Sequence, residues 1–357
     1  MKILILKFRN IGDVLLISPL IANLREKYQN STIDVAINEG TEEVLILNKN
    51  INDIIIFERD SIKSLPFFKR LFYEMKFYKK SLNKKYDIVI NLTEGDRGSI
   101  ISLLSRARLR FGYKGKSLLS KVAYNNFLPD QEFRHTIETN LDVLKILGFK
   151  EISKKVEIFW EKEDERVVAS ILKETRDFVH IHPVSRWLFK CVANETMAKI
   201  IDFCELELKR NVVITSAPNE NEMSKVEQIS QLCRSKPLNI SGQLSIKQTA
   251  ALNKRAKLFI GVDTAIMHVS AANDIPTIAF FGPSGGDHWG PWDNNLSESS
   301  YISRNGIQIM GKHIIISEKR GCQPCGKDGC NGTKISDCLM SLDIESIKKY
   351  IRKILID

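Results

Sequence analysis

The sequence predicts an α/β protein with two doubly wound domains that face a central cleft. Short apolar runs of strand length alternate with helix-length amphipathic segments in both halves of the chain. The length of 357 residues suits two domains, and a hydrophobic content of 43% is sufficient for two buried cores. A charged fraction of 27% excludes a collagen-like, low-complexity or wholly disordered chain.

The first half begins with an apolar run at residues 3–8, which predicts the first strand. Residues 11–28 show helical spacing, and Pro19 within them indicates a kink or the first turn of a helix. Three further strand-like runs follow at residues 32–37, 54–57 and 87–91. Strands separated by helix-length segments are typical of a parallel sheet with crossover helices.

The second half repeats this alternation. Its predicted strands are residues 178–182, 212–215, 258–260 and 277–281, and its predicted helices are 194–208, 220–233 and 246–255. Charged residues 161–166 interrupt the pattern, so the first domain is predicted at 1–165 and the second at 166–340. Residues 341–357 have helical spacing and predict a C-terminal helix that could cross back to the first domain.

The net charge of +10 is unevenly distributed, with +8 in residues 1–150 and +2 in the remainder. This asymmetry indicates an anionic partner, which could be nucleic acid, a membrane surface or a phosphorylated substrate, while a solvated basic face remains the alternative. The start of the chain lacks the apolar core of a signal peptide, and no apolar run approaches the ~20 residues of a membrane span. We therefore expect a cytoplasmic protein whose seven cysteines are reduced.

A carboxylate, Asp13, follows the first predicted strand at the start of a helix. Ligands bind at the carboxyl edge of an open α/β sheet, so Asp13 is a catalytic candidate. The same position also suits an ordinary first-turn Asp that the helix dipole stabilises. Neither strand-to-helix turn carries Gly-x-Gly-x-x-Gly, which argues against a dinucleotide dehydrogenase. No Walker sequence occurs, which excludes a P-loop NTPase.

Two segments of the second half predict an anion site. Ser185, Arg186 and Lys190 follow a strand and could bind a diphosphate, although such side chains in a loop are often only solvated. Asp263 and Thr264 lie between a strand and a helix rich in small residues, whose free N–H groups attract anions. His268 lies about one turn further along. The alternative is an ordinary capped helix with a core histidine.

Four motifs occur in the order typical of a known family. They are Gly-Asp-Val at 12–14, Ser-Arg-Trp-Leu-Phe-Lys-Cys at 185–191, Gly-Val-Asp-Thr-Ala-Ile-Met-His at 261–268 and the Gly- and Trp-rich loop at 281–292. Together they resemble the lipopolysaccharide heptosyltransferases of glycosyltransferase family 9. The string at 185–191 is most similar to the heptosyltransferase III subgroup. The resemblance extends over nearly the whole chain.

The resemblance implies a GT-B fold of two Rossmann-like domains, the first for the acceptor and the second for the donor. It implies inverting transfer of L-glycero-D-manno-heptose from ADP-heptose to the inner core of lipopolysaccharide or lipooligosaccharide in a Gram-negative bacterium. No cofactor is implied, because enzymes of this type use cationic side chains and a helix N-terminus where others use a metal. The absence of an Asp-x-Asp sequence agrees with this expectation.

The resemblance also assigns roles residue by residue. Asp13 would be the general base, and Lys190 would neutralise the departing ADP with help from Ser185. The residues expected at the donor are Ser185, Arg186, Glu222, Asp263, Thr264, Ala265 and His268, with Glu220 as a rival to Glu222 at the nucleoside. Three departures from the common pattern, Val184, Val192 and Ile266, bear on donor contacts and subgroup rather than on the reaction type.

Residues 63–85 contain eight Lys or Arg side chains and one acid, Glu74, interleaved with aromatic residues. A basic aromatic segment suits an anionic membrane surface, and a second basic cluster extends from Arg97 to Lys121. The alternative is a helix with its aromatics in the core and its lysines in solvent. No nucleic-acid motif accompanies the charge, so we expect no nucleic-acid partner. With the lipid-linked acceptor that the resemblance implies, the protein is expected to be peripheral at the inner membrane.

A cluster of four cysteines lies near the C-terminus, at Cys322, Cys325, Cys330 and Cys338. Its spacing predicts either structural thiols or a structural zinc site, and in neither case a catalytic role. Two functional alternatives to the heptosyltransferase remain. One is a GT-B transferase with another nucleotide-sugar donor, and the other is a non-catalytic scaffold at the membrane surface.

Overall fold

The computed structural model describes residues 1–130 and 133–356, and it divides into two compact units. Unit 1 contains residues 1–130 and 136–157, and unit 2 contains residues 133–135 and 158–356. Each unit is built around a predominantly parallel sheet with connecting helices. This is the predicted α/β class with two Rossmann-like units.

Unit 1 contains a six-stranded parallel sheet in the order β3-β2-β1-β4-β5-β6. Its strands are β1 (Lys2–Lys7), β2 (Thr32–Asn38), β3 (Asp53–Phe57), β4 (Ile88–Asn91), β5 (Leu109–Tyr113) and β6 (Asn126–Leu128). Its helices are α1 (Ile11–Leu15), α2 (Ser18–Lys27), α3 (Arg59–Lys63), α4 (Phe67–Leu82), α5 (Asp96–Ser105), α6 (Leu118–Ala123) and α7 (Thr136–Ile146). The strand order reverses between β1 and β4, so the loops that follow these two strands border the crevice where ligands bind in such sheets.

The predicted helical segment 11–28 consists of two helices, α1 and α2. Pro19 lies in the first turn of α2, where its missing N–H costs no hydrogen bond. The fully buried apolar residues of β1 explain why the sequence pattern predicted this strand well. Strand β6 was missed because it has only three residues, and β5 was missed because the polar Arg110 interrupts its apolar run.

Unit 2 contains a seven-stranded sheet in the order β12-β13-β11-β10-β7-β8-β9, in which only the β12–β13 pair is antiparallel. Its strands are β7 (Val179–His182), β8 (Val212–Ile214), β9 (Leu238–Asn239), β10 (Leu258–Val262), β11 (Thr277–Phe280), β12 (Gln308–Met310) and β13 (His313–Ile316). Its helices are α8 (Lys162–Leu172), α9 (Asn194–Asp202), α10 (Glu220–Leu232), α11 (Ile246–Asn253), α12 (Ala265–Ala272), α13 (Gly286–Trp289), α14 (Asp337–Met340) and α15 (Ile344–Leu355). Shorter turns occur at Glu42–Val44, Leu188–Lys190 and Cys330–Gly332, with a π-helical turn at Phe203–Glu207.

Two boundary expectations differ from the structure. The charged residues 161–166 belong wholly to unit 2, which begins again at Ile158, because residues 162–166 form the first turns of α8 and α8 packs on α11. The C-terminal helix α15 also belongs to unit 2 rather than crossing back to the first domain. Its residues Ile347 and Ile351 are fully buried in the unit 2 core. Lys348 and Arg352 on the same helix form ion pairs with Glu207.

Candidate active site

Asp13 lies in the first turn of α1, directly after the β1 strand end. One carboxylate oxygen accepts a hydrogen bond from the backbone N–H of Asn10 at 3.3 Å, and the other is 3.5 Å from Nε of Arg9. The side chain is only 9% exposed. Helix α1 therefore holds the carboxylate in one orientation, which satisfies the first-turn interpretation and leaves the base interpretation open.

A buried lysine accompanies Asp13, and sequence analysis had not singled it out. Lys7 closes β1, and its ammonium donates a hydrogen bond to the carbonyl oxygen of Leu92 at 3.1 Å. Burial lowers the pKa of Lys7 to about 8, and the negative charge of Asp13 partly opposes that change. The sequence does contain a signal for it, because Lys7 ends an otherwise apolar strand. A lysine buried at such a position is rare unless an electrostatic partner lies nearby.

A cavity of about 420 Å³ opens at the carboxyl edge of the unit 1 sheet. The lining includes Phe8, Phe57, Arg59, Lys63, Arg70, Glu74 and the loop at residues 93–98. The guanidinium carbon of Arg97 is 3.7 Å from the ring centroid of Phe57, and a terminal nitrogen of Arg97 is 3.8 Å from Glu74. The lining therefore combines guanidinium, carboxylate and aromatic groups, which suits a polar ligand with flat faces.

In unit 2, Lys190 lies in the loop after β7 and extends to the end of β10. Its ammonium nitrogen is 2.5 Å from Oδ2 of Asp263, and the hydroxyl of Ser284 donates to the same oxygen at 2.5 Å. The 73-residue separation between Lys190 and Asp263 hides this pair from any local sequence pattern. Ser284 lies after β11 in the Gly- and Trp-rich loop at 281–292, one of the four family motifs, although the serine itself was not selected as a site residue.

The contacts of Asp263 differ from those of the α12 N-terminus, although the sequence predicted both to contact the donor. A carboxylate repels phosphate, so Asp263 suits the positioning of Lys190 and Ser284 better than direct contact with a diphosphate. Thr264 is the N-cap of α12 in an extended conformation, and Ala265 is its first residue. The free N–H groups of this turn, together with the Lys190 ammonium, make this end of the sheet suited to an anion. His268 is buried one turn further along α12.

The remaining predicted donor residues lie on neighbouring loops of unit 2. Ser185 is buried, and its hydroxyl accepts from the backbone N–H of Trp187 at 3.3 Å. Glu222 is buried and accepts from the backbone N–H of Ala217 at 3.2 Å. Burial raises the pKa of Glu222, while the hydrogen bond from Ala217 and the charge of Arg186 partly offset the rise. Both carboxylates lie in the first turn of α10, where Glu220 is exposed and Glu222 is buried.

A buried polar network underlies this sheet edge, and the sequence did not predict it. The rings of His180 and His182 each lie 2.8 Å from the hydroxyl of Thr215. Burial lowers the pKa of His182 to about 4, and that of His180 is also lowered by burial and by the neighbouring ring. Both imidazoles are therefore neutral at physiological pH, and they fix the end of β7 just before the Ser185 loop.

The Gly- and Trp-rich loop is anchored to a distant part of the chain. The ring of His135 makes a 2.9 Å hydrogen bond with the carbonyl oxygen of Gly290 and lies 4.9 Å from the ring of Trp292. The ring of His288 makes a 2.6 Å hydrogen bond with the carbonyl oxygen of Arg134. Residues 133–135 consequently belong to unit 2, whereas the described residues 1–130 and 136–157 belong to unit 1.

The C-terminal cysteines were predicted to be structural thiols or a structural zinc site. All four are free thiols, and within residues 1–130 and 133–356 no three His, Cys, Asp or Glu side chains are grouped closely enough to hold a metal ion. Burial, together with the charges of Cys330, Cys322 and Cys325, raises the pKa of Cys338 to about 11. Structural thiols and a structural zinc site both remain predictions.

The basic segment at residues 63–85 is largely helical, and its aromatic residues divide between two environments. Phe77 is buried and packs against Phe57 at a centroid distance of 4.8 Å. Phe67 and Phe68 are 72% and 82% exposed. Among the described helices, none combines the length and apolar composition that crossing a bilayer requires.

Comparison with known proteins identifies the family. Residues 75–310 match the model of glycosyltransferase family 9 (heptosyltransferase). The chain is 29% identical to lipopolysaccharide heptosyltransferase 3 of Escherichia coli, covering 80% of this chain and 84% of that protein. It is 22% identical to the lipopolysaccharide core heptosyltransferase OpsX of Haemophilus influenzae, covering 86% of each.

The solved structures agree on the fold. A glycosyltransferase family 9 protein from Veillonella parvula superposes with a TM-score of 0.80 at 20% identity, covering 99% of this chain and 97% of the other. The E. coli heptosyltransferase WaaC with ADP gives a TM-score of 0.73 at 16% identity, covering 99% of both chains. These likenesses confirm the GT-B fold class. The chain therefore belongs to glycosyltransferase family 9, the heptosyltransferases, and within it is most like the heptosyltransferase III subgroup, as its motifs predicted.

Proposed function

We propose that this protein transfers L-glycero-D-manno-heptose from ADP-heptose to the inner core of lipopolysaccharide or lipooligosaccharide, with inversion at the anomeric carbon. The observation that carries the proposal is the Lys190–Asp263 pair at the N-terminus of α12, where a cation and free N–H groups converge. The names of the relatives, which include heptosyltransferases, support the choice of donor and acceptor.

In the proposed reaction, the acceptor hydroxyl oxygen attacks the anomeric carbon of the donor. The carboxylate of Asp13 takes the hydroxyl proton, and a new C–O bond forms as the bond to the ADP oxygen breaks. ADP leaves with the electron pair of that bond. The developing negative charge on its diphosphate is stabilised by the Lys190 ammonium and the free N–H groups at Thr264 and Ala265, with Ser185 assisting. No metal ion is needed to balance this step.

The donor's other groups have candidate partners in the same unit. We assign the sugar and phosphates to the neighbourhood of His268 and the α12 turn. The nucleoside is assigned to Glu222, whose buried carboxylate could accept hydrogen bonds from ribose hydroxyls. Arg186 lies close enough to Glu222 to lower its pKa and would meet the same end of the donor.

The acceptor is assigned to unit 1, where the 420 Å³ cavity combines arginines, carboxylates and aromatic rings. Such a lining binds sugar hydroxyls and phosphate groups at once. Because this acceptor is lipid-linked, we further propose that the protein is cytoplasmic and associates peripherally with the inner membrane.

The direct test is ADP release by the purified protein given ADP-heptose and a heptose-containing inner-core acceptor. Release that requires both substrates, with a product of inverted anomeric configuration, would support the proposal. Binding of a UDP- or GDP-sugar in preference to ADP-heptose would favour the GT-B alternative with another donor. ADP-heptose binding without turnover on any inner-core acceptor would favour a scaffold with a residual donor site.

The cavity yields a separate prediction. Replacing Arg59, an exposed cavity residue, by Gln is expected to raise the acceptor KM roughly ten-fold, because one charge-assisted hydrogen bond to an acceptor phosphate is lost. The kcat and the donor KM should be unchanged. Steady-state kinetics with native and phosphatase-treated acceptor would measure this, with Lys236→Gln on unit 2 as the control. If Arg59→Gln raised the KM equally for native and phosphatase-treated acceptor, Arg59 would not bind an acceptor phosphate.

A further inference from the structure

An exposed apolar face on α4 is the strongest feature that the proposed reaction leaves unused. Phe67, Phe68, Leu71, Phe72 and Met75 are between 46% and 82% exposed. At about 100° per residue these five positions lie within a sector of roughly 140° on one side of the helix. Large exposed apolar groups on a single face are unusual in a soluble monomer and mark an interaction surface.

The helix is anchored by a different face. Phe77 is buried and packs against Phe8 and Phe57, with centroid distances of 5.9 Å and 4.8 Å. Ser81 is also buried. The core therefore holds the C-terminal half of α4, while the exposed apolar face belongs to its N-terminal half. The alternative in which the helix packs its aromatics in the core is correct only for that C-terminal half.

Basic side chains flank the apolar face. Lys69, Lys76, Lys79 and Lys80 are exposed and form no ion pair among the residues that the structure describes. In the same unit, Leu118 and Val122 of α6 are 77% and 53% exposed and lie one turn apart. Helix α5 packs against both α4 and α6. Unpaired lysines around exposed aromatic rings are the composition of a surface that binds anionic lipid.

We propose that this surface, formed by residues 67–75 of α4 with Leu118 and Val122 of α6, inserts into the interfacial layer of an anionic lipid bilayer. The occupant is lipid rather than a protein partner because eight basic residues and one acidic residue occupy positions 63–85, which matches a uniformly anionic surface. This inference rests on the proposed function in one respect, since a lipid-linked acceptor requires the enzyme to work at a bilayer.

Helix α4 also connects this surface to the acceptor cavity. Arg70 and Glu74 lie on another side of α4 and line the cavity, where they form an ion pair at 3.4 Å. Insertion of the apolar face would therefore place the cavity beside the headgroup layer. The surface should matter for an acceptor in a membrane and should not matter for a soluble fragment of the same acceptor.

The experiment compares vesicle sedimentation of the full chain with vesicles that contain phosphatidylglycerol and vesicles of phosphatidylcholine alone. The wild type is expected to bind the anionic vesicles. Phe68→Ser/Phe72→Ser should weaken this binding at least ten-fold, because two aromatic side chains no longer enter the interface. Lys76→Gln/Lys80→Gln should weaken it also and should remove most of the preference for anionic lipid.

The control is Ile302→Ser, which removes a 95% exposed apolar residue from unit 2 and should leave vesicle binding unchanged. All variants change exposed positions, so each should keep the wild-type thermal midpoint and its activity on a soluble acceptor. Activity on the acceptor embedded in anionic vesicles should fall in parallel with binding for the two α4 variants alone.

Three outcomes would overturn the proposal. The wild type could fail to bind anionic vesicles, or the α4 aromatic variant could bind them as well as the wild type does. The third outcome is a wild-type dimer that Phe68→Ser/Phe72→Ser converts to a monomer, since the face would then join two copies of the chain. Activity on the soluble acceptor is measured separately, so failure of the heptosyltransferase proposal is distinguishable from failure of this one.

Discussion

Asp13→Asn is expected to lower kcat about 10³-fold, within the range that general-base catalysis contributes. The amide can still accept the hydrogen bond that the backbone N–H of Asn10 donates, so the first turn of α1 should persist. An amide cannot take the proton of the acceptor hydroxyl, so the loss should appear in kcat. Affinity for ADP should not change, because the donor residues belong to unit 2. Steady-state kinetics and calorimetric titration of ADP would measure the two effects.

A variant of the neighbouring arginine is the matched control for Asp13→Asn. Arg9→Gln removes the partner at 3.5 Å and keeps the base, so it should cost far less than Asp13→Asn. An Asn variant that keeps a tenth of the wild-type kcat would refute the role of Asp13.

Lys190→Met is the second substitution with a large expected effect. It removes the cation assigned to the departing diphosphate, and it also leaves the Asp263 carboxylate without its 2.5 Å partner. An uncompensated carboxylate beside the anion site would repel ADP. We expect at least a 100-fold loss of both ADP affinity and kcat. Lys257→Met, which breaks an exposed ion pair with Asp177 elsewhere in unit 2, should change neither quantity.

The double variant Lys190→Met/Asp263→Asn separates the two causes. Removing the orphaned carboxylate should recover part of the lost ADP affinity, so the double variant should bind ADP more tightly than Lys190→Met alone. It should recover little kcat, because the cation is still absent when the leaving group departs. If the double variant binds ADP more weakly than the single variant, Asp263 contacts the donor itself and does not act only through Lys190 and Ser284.

Several correctly predicted strands are mainly apolar runs. β1, β2, β7 and β10 are buried along nearly their whole length. β3 was predicted from its apolar run as well, although it is only partly buried. β5, β6 and β9 are short, and their polar or exposed positions interrupt the pattern. The helix boundaries were correct to within two residues for α10 and α11, where side-chain caps at Asn219 and Ser245 define the starts.

The sequence could predict site residues that directly follow a strand. It could not predict contacts between side chains from distant parts of the chain. Asp13, Ser185 and Asp263 follow predicted strands, so their shared position at a sheet edge could be inferred. The contact between Lys190 and Asp263 joins two loops 73 residues apart, and no local pattern encodes it. The cavity was missed for the same reason, since Phe57 and Arg97 meet only through the folding of unit 1.

The short segment at residues 133–135 has a consequence for how this protein can be recombined. Because His135 bonds to Gly290 and packs on Trp292, a chimaera that exchanges the N-terminal halves of two relatives at residue 157 would import a foreign segment into the donor unit. Each unit is compact in three dimensions, but neither unit is a single continuous stretch of the sequence. A working graft has to keep residues 133–135 with the C-terminal half, which makes acceptor and donor preferences harder to exchange by simple crossover.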